Sequence, residues 1–221
     1  PFSDMDQTDP ETGLTDGLLT RLAAQGPLPK IMYVSTPSEY WGGHGALVHT
    51  DLTGSRDLDS PEAVRIYILG GMQHAVGGLP LDVIDAEGVH TQQLFHCLDY
   101  RPLLRAALVN MDRWVTSGQA APLSQHPKIA DGTAVSPETV FKILKTLPGV
   151  KAPTHLRRFT RLDFGPNPDV PTNIPPKIGG LYANLVSAVD GDGNETSGIR
   201  MPYITVPLAT YTGWNLRHSG I

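Results

Sequence analysis

The sequence is poor in cysteine and in basic patches, and it contains no long apolar run. Its single cysteine, Cys97, excludes an internal disulfide and a cysteine-based zinc cluster. The formal net charge is −5 and no basic stripe with interleaved aromatic residues is present, so we expect no nucleic-acid partner. No segment approaches the roughly 20 apolar residues that a membrane helix needs, and the segment Pro1–Gly13 lacks the zones of a signal peptide. We therefore expect a soluble chain without a membrane partner, whose compartment stays unknown.

The remaining composition is that of a globular protein rich in turns. Hydrophobic residues make up 40% of the 221 residues and charged residues 18%, which is enough for a sizeable core. The 23 glycines and 20 prolines predict many loops and hairpins. From about Pro153 onward, short apolar runs alternate with Pro, Gly, Asn and Asp, a pattern typical of hairpins. We interpret residues 1–150 as an α/β core and residues 151–221 as an extension that wraps it.

Two short runs of β-branched and aromatic residues predict buried strands. They cover Lys30–Ser35 and Val64–Leu69, and each is bounded by Pro or Gly. Each run leads into a predicted loop that carries a residue able to take part in proton transfer, Glu39 after the first run and His74 after the second. A carboxylate and then a histidine, each just past a core strand, is the order in which an α/β-hydrolase supplies the last two members of its triad.

The chemistry of a serine-dependent triad explains why these two residue types matter. A general base needs an imidazole that faces a hydroxyl on one side and a carboxylate on the other. We predict that His74 is this base and that Glu39 orients it, although an isolated histidine is more often a surface or core residue. The competing acids lie in turn-rich sequence, where a solvated carboxylate is the usual state: Asp51, Asp57, Asp59 and Glu62.

Tyr40 and Trp41 follow the predicted acid directly. They could form the wall of a substrate pocket or simply pack the segment against the core, and packing is the more common role of such rings. We keep both as weak candidates for a substrate pocket.

No metal or cofactor site is predicted. His44 and His49 are five residues apart, whereas a helical ligand pair has a spacing of four, and no His-Glu-x-x-His motif is present. The stretch Asp190–Glu195 begins like a calcium loop, but Glu195 occupies the sixth position, where Gly is required, and Met201 the twelfth, where Glu is required. A hairpin turn is the better interpretation of this stretch.

A nucleophile is missing from the sequence. None of the serines lies in Gly-x-Ser-x-Gly, the strained turn that presents a catalytic hydroxyl above the sheet, and no oxyanion-hole loop is recognisable. Cys97 next to His96 is a poor substitute, because adjacent side chains usually point apart.

Two short helices are predicted in the first 50 residues. Thr15 or Asp16 can cap a helix that ends near Gln25–Gly26, and the segment before it, Pro1–Gly13, is expected to be irregular. A further short helix is expected at Ala46–His49.

Two longer helices are predicted after the histidine. The first begins after Asp99 and runs to about Thr116. Its spacing places one apolar stripe against the sheet, namely Leu103, Leu104, Ala107, Leu108, Met111, Trp114 and Val115. The second begins at Ser136–Pro137 and stops at Pro148–Gly149.

Several stretches, in order along the chain, resemble the C-terminal part of a bacterial family called alpha/beta hydrolase domain proteins. They are PKIMYVSTPSEYWGGHGALVHTD, VRIYILGGMQH, LDYRPLLRAALVNMDRWVTSG, LDFGP, PPKIG, VDGDGNETSGIR and PLATYTGWNLR. The resemblance implies that residues 1–150 are the C-terminal half of an α/β-hydrolase core. It also implies that Glu39 and His74 match the acid and histidine of the triad, and that the serine lies in an N-terminal region that this chain lacks.

The resulting expectation is part of a serine hydrolase that acts on a small carboxylic ester and needs no cofactor. The expected partner is the N-terminal half of the same hydrolase as a separate chain, or a second copy of this chain, because half of a parallel sheet exposes a strand edge. The alternative is a noncatalytic binding module that has kept part of the hydrolase scaffold.

Overall fold

A computed structural model of the protein describes residues 2–167 and 170–220. Pro1, Pro168, Asp169 and Ile221, which fall within the predicted lead-in and extension, lie outside the described residues. The helices are α1 Thr20–Ala23, α2 Pro37–Gly43, a 3-10 helix Gly45–Val48, α3 Arg101–Ser117, α4 Pro137–Leu144 and α5 Pro202–Thr205. The strands are β1 Gln7–Thr8, β2 Thr15–Asp16, β3 Ile31–Ser35, β4 Val64–Ile68, β5 Ala134–Val135, β6 Thr160–Asp163, β7 Lys177–Leu181 and β8 Val186–Ser187. Among the described helices, none is long and apolar enough to cross a membrane.

The parallel pair β3–β4 lies at the centre of the structure, and both strands are where the sequence predicts them. The register runs from Ile31 opposite Val64 to Ser35 opposite Ile68. Every residue of β4 is buried, whereas those of β3 are half-buried. The mixture of helices and strands agrees with the predicted α/β class, although the sheets are small.

Beyond β4, the ladder continues through single bridges rather than through a further strand. Gln125 bridges Tyr67 and Ile199 bridges Leu69, both in the parallel sense. The segment around Ile199 therefore reaches the carboxyl end of β4, where the histidine loop begins.

Two apolar clusters pack on opposite sides of this end of β4. One joins Ile68 to Tyr40, Trp41, Ala46, Val140, Leu144 and Val186, and the other joins Leu69 and Met72 to Leu98 and Ile204. Val186 and Ile204 follow residue 150 in the chain, so the segment predicted as an extension contributes side chains to the same cores as the preceding part. The division at residue 150 stays a prediction.

Helix α3 confirms the predicted long helix, with a correction to its apolar face. Asp99 makes the hydrogen bond expected of a cap, because its Oδ1 accepts from the backbone N–H of Arg101 at 2.9 Å, although the N-cap position itself is Tyr100. Trp114 is buried between the cations of Lys30 and Arg65, 4.9 and 4.7 Å from its ring centre.

The apolar stripe of α3 is wider than the surface that covers it. Leu108 and Val115 remain 70% and 63% exposed, contrary to the prediction that they pack on the sheet. Val115 follows Trp114 by one residue and is therefore rotated about 100° from the buried face. Helix α4 begins where predicted and buries Val140 and Leu144, but it ends at Leu144, before the predicted stop at Pro148–Gly149.

The N-terminal prediction is wrong in two places. Thr15 and Asp16, expected to cap a helix, instead form β2, which pairs with β1. The N-terminal segment before them, which was expected to be irregular, therefore contributes one strand of a small hairpin. Only one helical turn follows, at Thr20–Ala23. Gly17, a weak helix former, packs so closely on the backbone of Met5 that a Cβ would come within 2.7 Å of its carbonyl carbon. The short helix expected at Ala46–His49 is a 3-10 helix, shifted by one residue.

The C-terminal part contains the expected hairpins. Strands β6 and β7 pair antiparallel, and β8 pairs with β5. The stretch Asp190–Glu195 is a turn closed by a bridge between Val189 and Glu195, which confirms the hairpin interpretation.

The side chain of Glu195 is buried at the end of this turn. Its Oε2 atom accepts a hydrogen bond of 2.9 Å from the backbone N–H of Gly71. Burial raises the pKa of Glu195 from 4.5 to about 8, although the hydrogen bond from Gly71 acts in the opposite direction. The carboxyl is therefore mostly protonated near neutral pH.

The two leucines Leu144 and Leu108 test the burial pattern of the helices. Leu144→Ala should reduce the free energy of unfolding by about 2–5 kcal/mol, because it opens a cavity in the core. Leu108→Ala, also in a helix, should change it by no more than about 0.5 kcal/mol. Urea unfolding measures both, and equal losses would show that Leu108 is buried in solution.

The buried carboxyl predicts a pH-dependent stability. Because the folded pKa of Glu195 lies near 8 and the unfolded value near 4.5, the folded state holds the extra proton between these values. The contribution of this group to stability is complete below pH 4.5 and is lost as the pH rises to 8, with a slope of up to about 1.4 kcal/mol per pH unit. Relative to the wild type, Glu195→Gln should gain stability across that window. Thermal unfolding of both proteins at several pH values measures this difference, and a difference that does not vary with pH would refute the assignment.

Candidate active site

Helix α2 positions Glu39. Contrary to the prediction of a loop, this residue lies in the first turn of the helix. Its Oε2 accepts hydrogen bonds from the backbone N–H and the hydroxyl of Thr36, at 2.7 and 2.8 Å. This backward contact is the acidic half of a capping box. It holds one carboxylate oxygen and leaves the other free to face outward.

The free oxygen of Glu39 contacts His74. The Nδ1–H group of His74 donates to Glu39 Oε1 at 2.7 Å. The sequence analysis predicted that these two residues act as a pair, and the structure brings them together across 35 positions of the chain. The side chains are 75% exposed for His74 and 36% exposed for Glu39, so the pair lies at the surface of this chain.

The hydrogen bonds on Glu39 favour its charged form. Burial alone would raise the pKa of Glu39, but the hydrogen bonds from His74 and from the side chain and backbone of Thr36 outweigh it and lower that pKa. A carboxylate bonded to Nδ1 selects the tautomer in which Nε2 carries no proton. Within residues 2–167 and 170–220, no hydrogen bond to His74 Nε2 is formed. The imidazole can therefore accept a proton at Nε2.

The loop that carries His74 is held by its backbone. Gly71 has a left-handed backbone, with φ of 71°, and a Cβ there would overlap the side chain of Ile204. Its carbonyl accepts a hydrogen bond of 2.9 Å from His96 Nε2. The hydroxyl of Tyr100 donates to the carbonyl of His74 at 2.7 Å.

The competing acids are occupied elsewhere or are not in contact with His74. Asp51 accepts hydrogen bonds from Thr53 and Ser55 within its own turn. Asp57 accepts from the backbone of residues 129 and 130. Of the acids considered, Glu39 is therefore the one at hydrogen-bond distance from His74.

Tyr40 and Trp41 are buried in the core behind Glu39. The hydroxyl of Tyr40 lies 2.6 Å from His49 Nε2. Trp41 stacks on Phe141 and Trp214, with ring centres 5.6 and 5.4 Å away. Their contacts are those of packing residues, and a part in a substrate pocket stays a prediction.

The histidines considered as metal ligands have other partners. His44 packs edge-on against Phe159 and lies 3.2 Å from the carbonyl of Arg157. Burial, together with the neighbouring His126 and Lys128, lowers the pKa of His49 to about 3. In the part of the chain that the structure describes, no group of three or more potential metal ligands occurs.

A cavity of about 530 Å³ lies away from the Glu39–His74 pair, at the N-terminal hairpin. It is lined mainly by apolar side chains, among them Phe2, Leu52, Leu162 and Tyr182. Neither Glu39 nor His74 lines it.

The contact that the sequence analysis missed is the one from Glu195 to the histidine loop. The residue was considered only as the mismatch that breaks the calcium-loop pattern. Because 124 positions separate it from Gly71, the sequence carries no local signal of their contact.

Comparison with known proteins identifies the family of the chain. The family model described as alpha/beta hydrolase domain matches residues 3–221. Searches of curated proteins and of solved structures found no match. Because the family match covers almost the whole chain, it confirms the resemblance noted in the sequence: the protein belongs to the alpha/beta hydrolase domain family.

Proposed function

We propose that this chain supplies the acid and the histidine of a serine hydrolase that cleaves carboxylic esters. The observation that carries the proposal is the hydrogen bond of 2.7 Å between His74 Nδ1 and Glu39 Oε1, with Nε2 exposed and free of a partner among the described residues. Membership of a hydrolase family supports it.

The proposed mechanism follows the usual division of labour in a triad. A serine hydroxyl attacks the acyl carbon while His74 Nε2 takes its proton. Glu39 keeps the ring in the required tautomer and stabilises the imidazolium that forms. The proton then passes to the departing alcohol, and water hydrolyses the acyl-enzyme with His74 as base again.

The proposed nucleophile lies on a polypeptide segment outside this sequence, because no serine of the chain lies in Gly-x-Ser-x-Gly. Two features support a covering partner, which we take to be the N-terminal half of the same hydrolase rather than a second copy. Strand β3 has β4 as its neighbour on one side, and its residues are only half-buried. Parallel sheets are normally covered on both faces.

Covalent labelling tests the nucleophile. The complete protein that contains this chain, isolated from its producing cells, should react with a fluorophosphonate probe. Peptide mapping should then place the label on a serine outside residues 1–221, in a Gly-x-Ser-x-Gly context. A complete protein that never reacts would contradict the serine-hydrolase proposal and favour the noncatalytic binding module.

Substitution of the pair tests its role in the complete enzyme. His74→Ala should lower kcat for an ester by about a thousandfold or more, because the general base is lost. Glu39→Gln should cause a loss of about 10³–10⁴-fold, because an amide donates to Nδ1 and selects the wrong tautomer.

The matched control is His155→Ala, which removes an exposed histidine outside the pair and should leave kcat unchanged. Ester turnover by the His74→Ala variant at the wild-type rate would assign the activity to another site.

A further inference from the structure

The peptide groups around Gly71 are held from two sides by residues far away in the sequence. Its N–H donates to Glu195 Oε2 and its carbonyl accepts from His96 Nε2, both at 2.9 Å. The bond to Glu195 is buried. The side chain of Glu195 thus reaches the turn that leads, three residues later, to His74.

Glu195 itself is held in a well-bonded segment. The neighbouring Asn194 is completely buried, donates to the carbonyl of Ala209 at 3.1 Å and accepts from the N–H of Tyr211 at 2.9 Å. Further along, the carbonyl of Ile199 accepts from the N–H of Gly70 at 3.0 Å. The carboxyl of Glu195 therefore approaches Gly71 from a segment that is hydrogen-bonded on both sides.

The position of the His74 ring depends on this backbone. Because the side chain is 75% exposed, packing does not hold it in place. Its orientation follows from the path of the turn and from the single hydrogen bond to Glu39. A small shift of the backbone at Gly71 would move Nδ1 out of reach of the carboxylate.

We propose that Glu195 is a positioning residue for His74, and that its hydrogen bond to the Gly71 N–H holds residues 70–74 where His74 Nδ1 meets Glu39. Its importance for catalysis rests on the proposed function, but its effect on the His74–Glu39 contact does not. The contact needs an oxygen acceptor at a fixed distance and no charge, which agrees with the raised pKa of the buried Glu195 carboxyl.

Two substitutions distinguish the effect of the length of the Glu195 side chain from the effect of its charge. Glu195→Gln keeps an oxygen at the same distance and removes the ionisable group. Glu195→Asp keeps the carboxyl but withdraws it by one methylene, about 1.5 Å, which breaks the contact with Gly71. Both are polar and close to glutamate in size.

The experiment measures which ring nitrogen of His74 carries the proton, because a change of packing elsewhere in the protein does not alter this tautomer. In protein labelled with ¹⁵N-histidine, ring ¹H–¹⁵N spectra recorded above neutral pH but below the Glu195 pKa of about 8 should show the neutral ring of wild-type His74 mainly as the Nδ1–H form. Glu195→Gln should keep that form, whereas Glu195→Asp should lose it, as should Glu39→Ala. If Glu195→Asp does not fold, Glu195→Ala takes its place with the same expected loss.

Leu19→Ala is the control, since it removes buried side-chain volume from the cluster with Val64 and Ile66, which includes no residue of α2 or of the histidine loop among its members; it should keep the Nδ1–H form. Loss of that form in Glu195→Gln, or its retention in Glu195→Asp, would overturn the proposal. These spectra require no nucleophile and no substrate. A failure of fluorophosphonate labelling would therefore refute the serine-hydrolase function and leave the positioning role intact.

Discussion

The in-register parallel pairing of β3 with β4 is the constraint on which the candidate site depends. Ser35 lies opposite Ile68, and the next hydrogen bond joins the N–H of Leu69 to the carbonyl of Ser35 at 2.9 Å. The backbone therefore leaves the sheet at the same level after β3 and after β4. The acid follows β3 within a helical turn and the histidine follows β4 after a tight glycine turn, so the two side chains meet at one edge of the sheet.

A slip of this register would separate the two residues, because Ser35 and Ile68 would no longer lie opposite each other. The buried side chains of β4 oppose it, because Ile66 and Ile68, which lie on the same face of the strand, pack into two separate apolar clusters. The apolar packing thus determines the geometry of the polar pair. The same packing involves Val186 and Ile204 from the C-terminal part, which places residues after position 150 among those that maintain the site.

Sequence reasoning succeeded where the signal is local. The strands β3 and β4 are short apolar runs bounded by Pro or Gly, and Glu39 and His74 follow them directly. It failed where a tertiary contact decides the outcome. The helical spacing after Thr15 was outweighed by the pairing of β2 with β1. The position of Leu108 in the apolar stripe of its helix does not reveal whether another element covers it, and it remains exposed.

Glu195 shows the same limit at the site itself. Its partner, Gly71, lies 124 positions away, and a pairing of that range is created by the fold as a whole. Nothing in the residues next to Glu195 distinguishes a carboxyl that is buried against the histidine loop from one that is solvated in a surface turn.

The two glutamates near His74 are placed in environments that move their pKa values in opposite directions. Hydrogen bonds from Thr36 and His74 lower the pKa of Glu39, whereas complete burial raises that of Glu195 to about 8. Opposite shifts of this kind assign different tasks to chemically identical groups. At neutral pH one negative charge faces the imidazole, and the second carboxyl serves as an uncharged acceptor for the backbone. A second charge beside the histidine loop would compete with Glu39 for the imidazolium of the proposed mechanism, so the burial of Glu195 leaves Glu39 as the charged carboxylate in contact with His74.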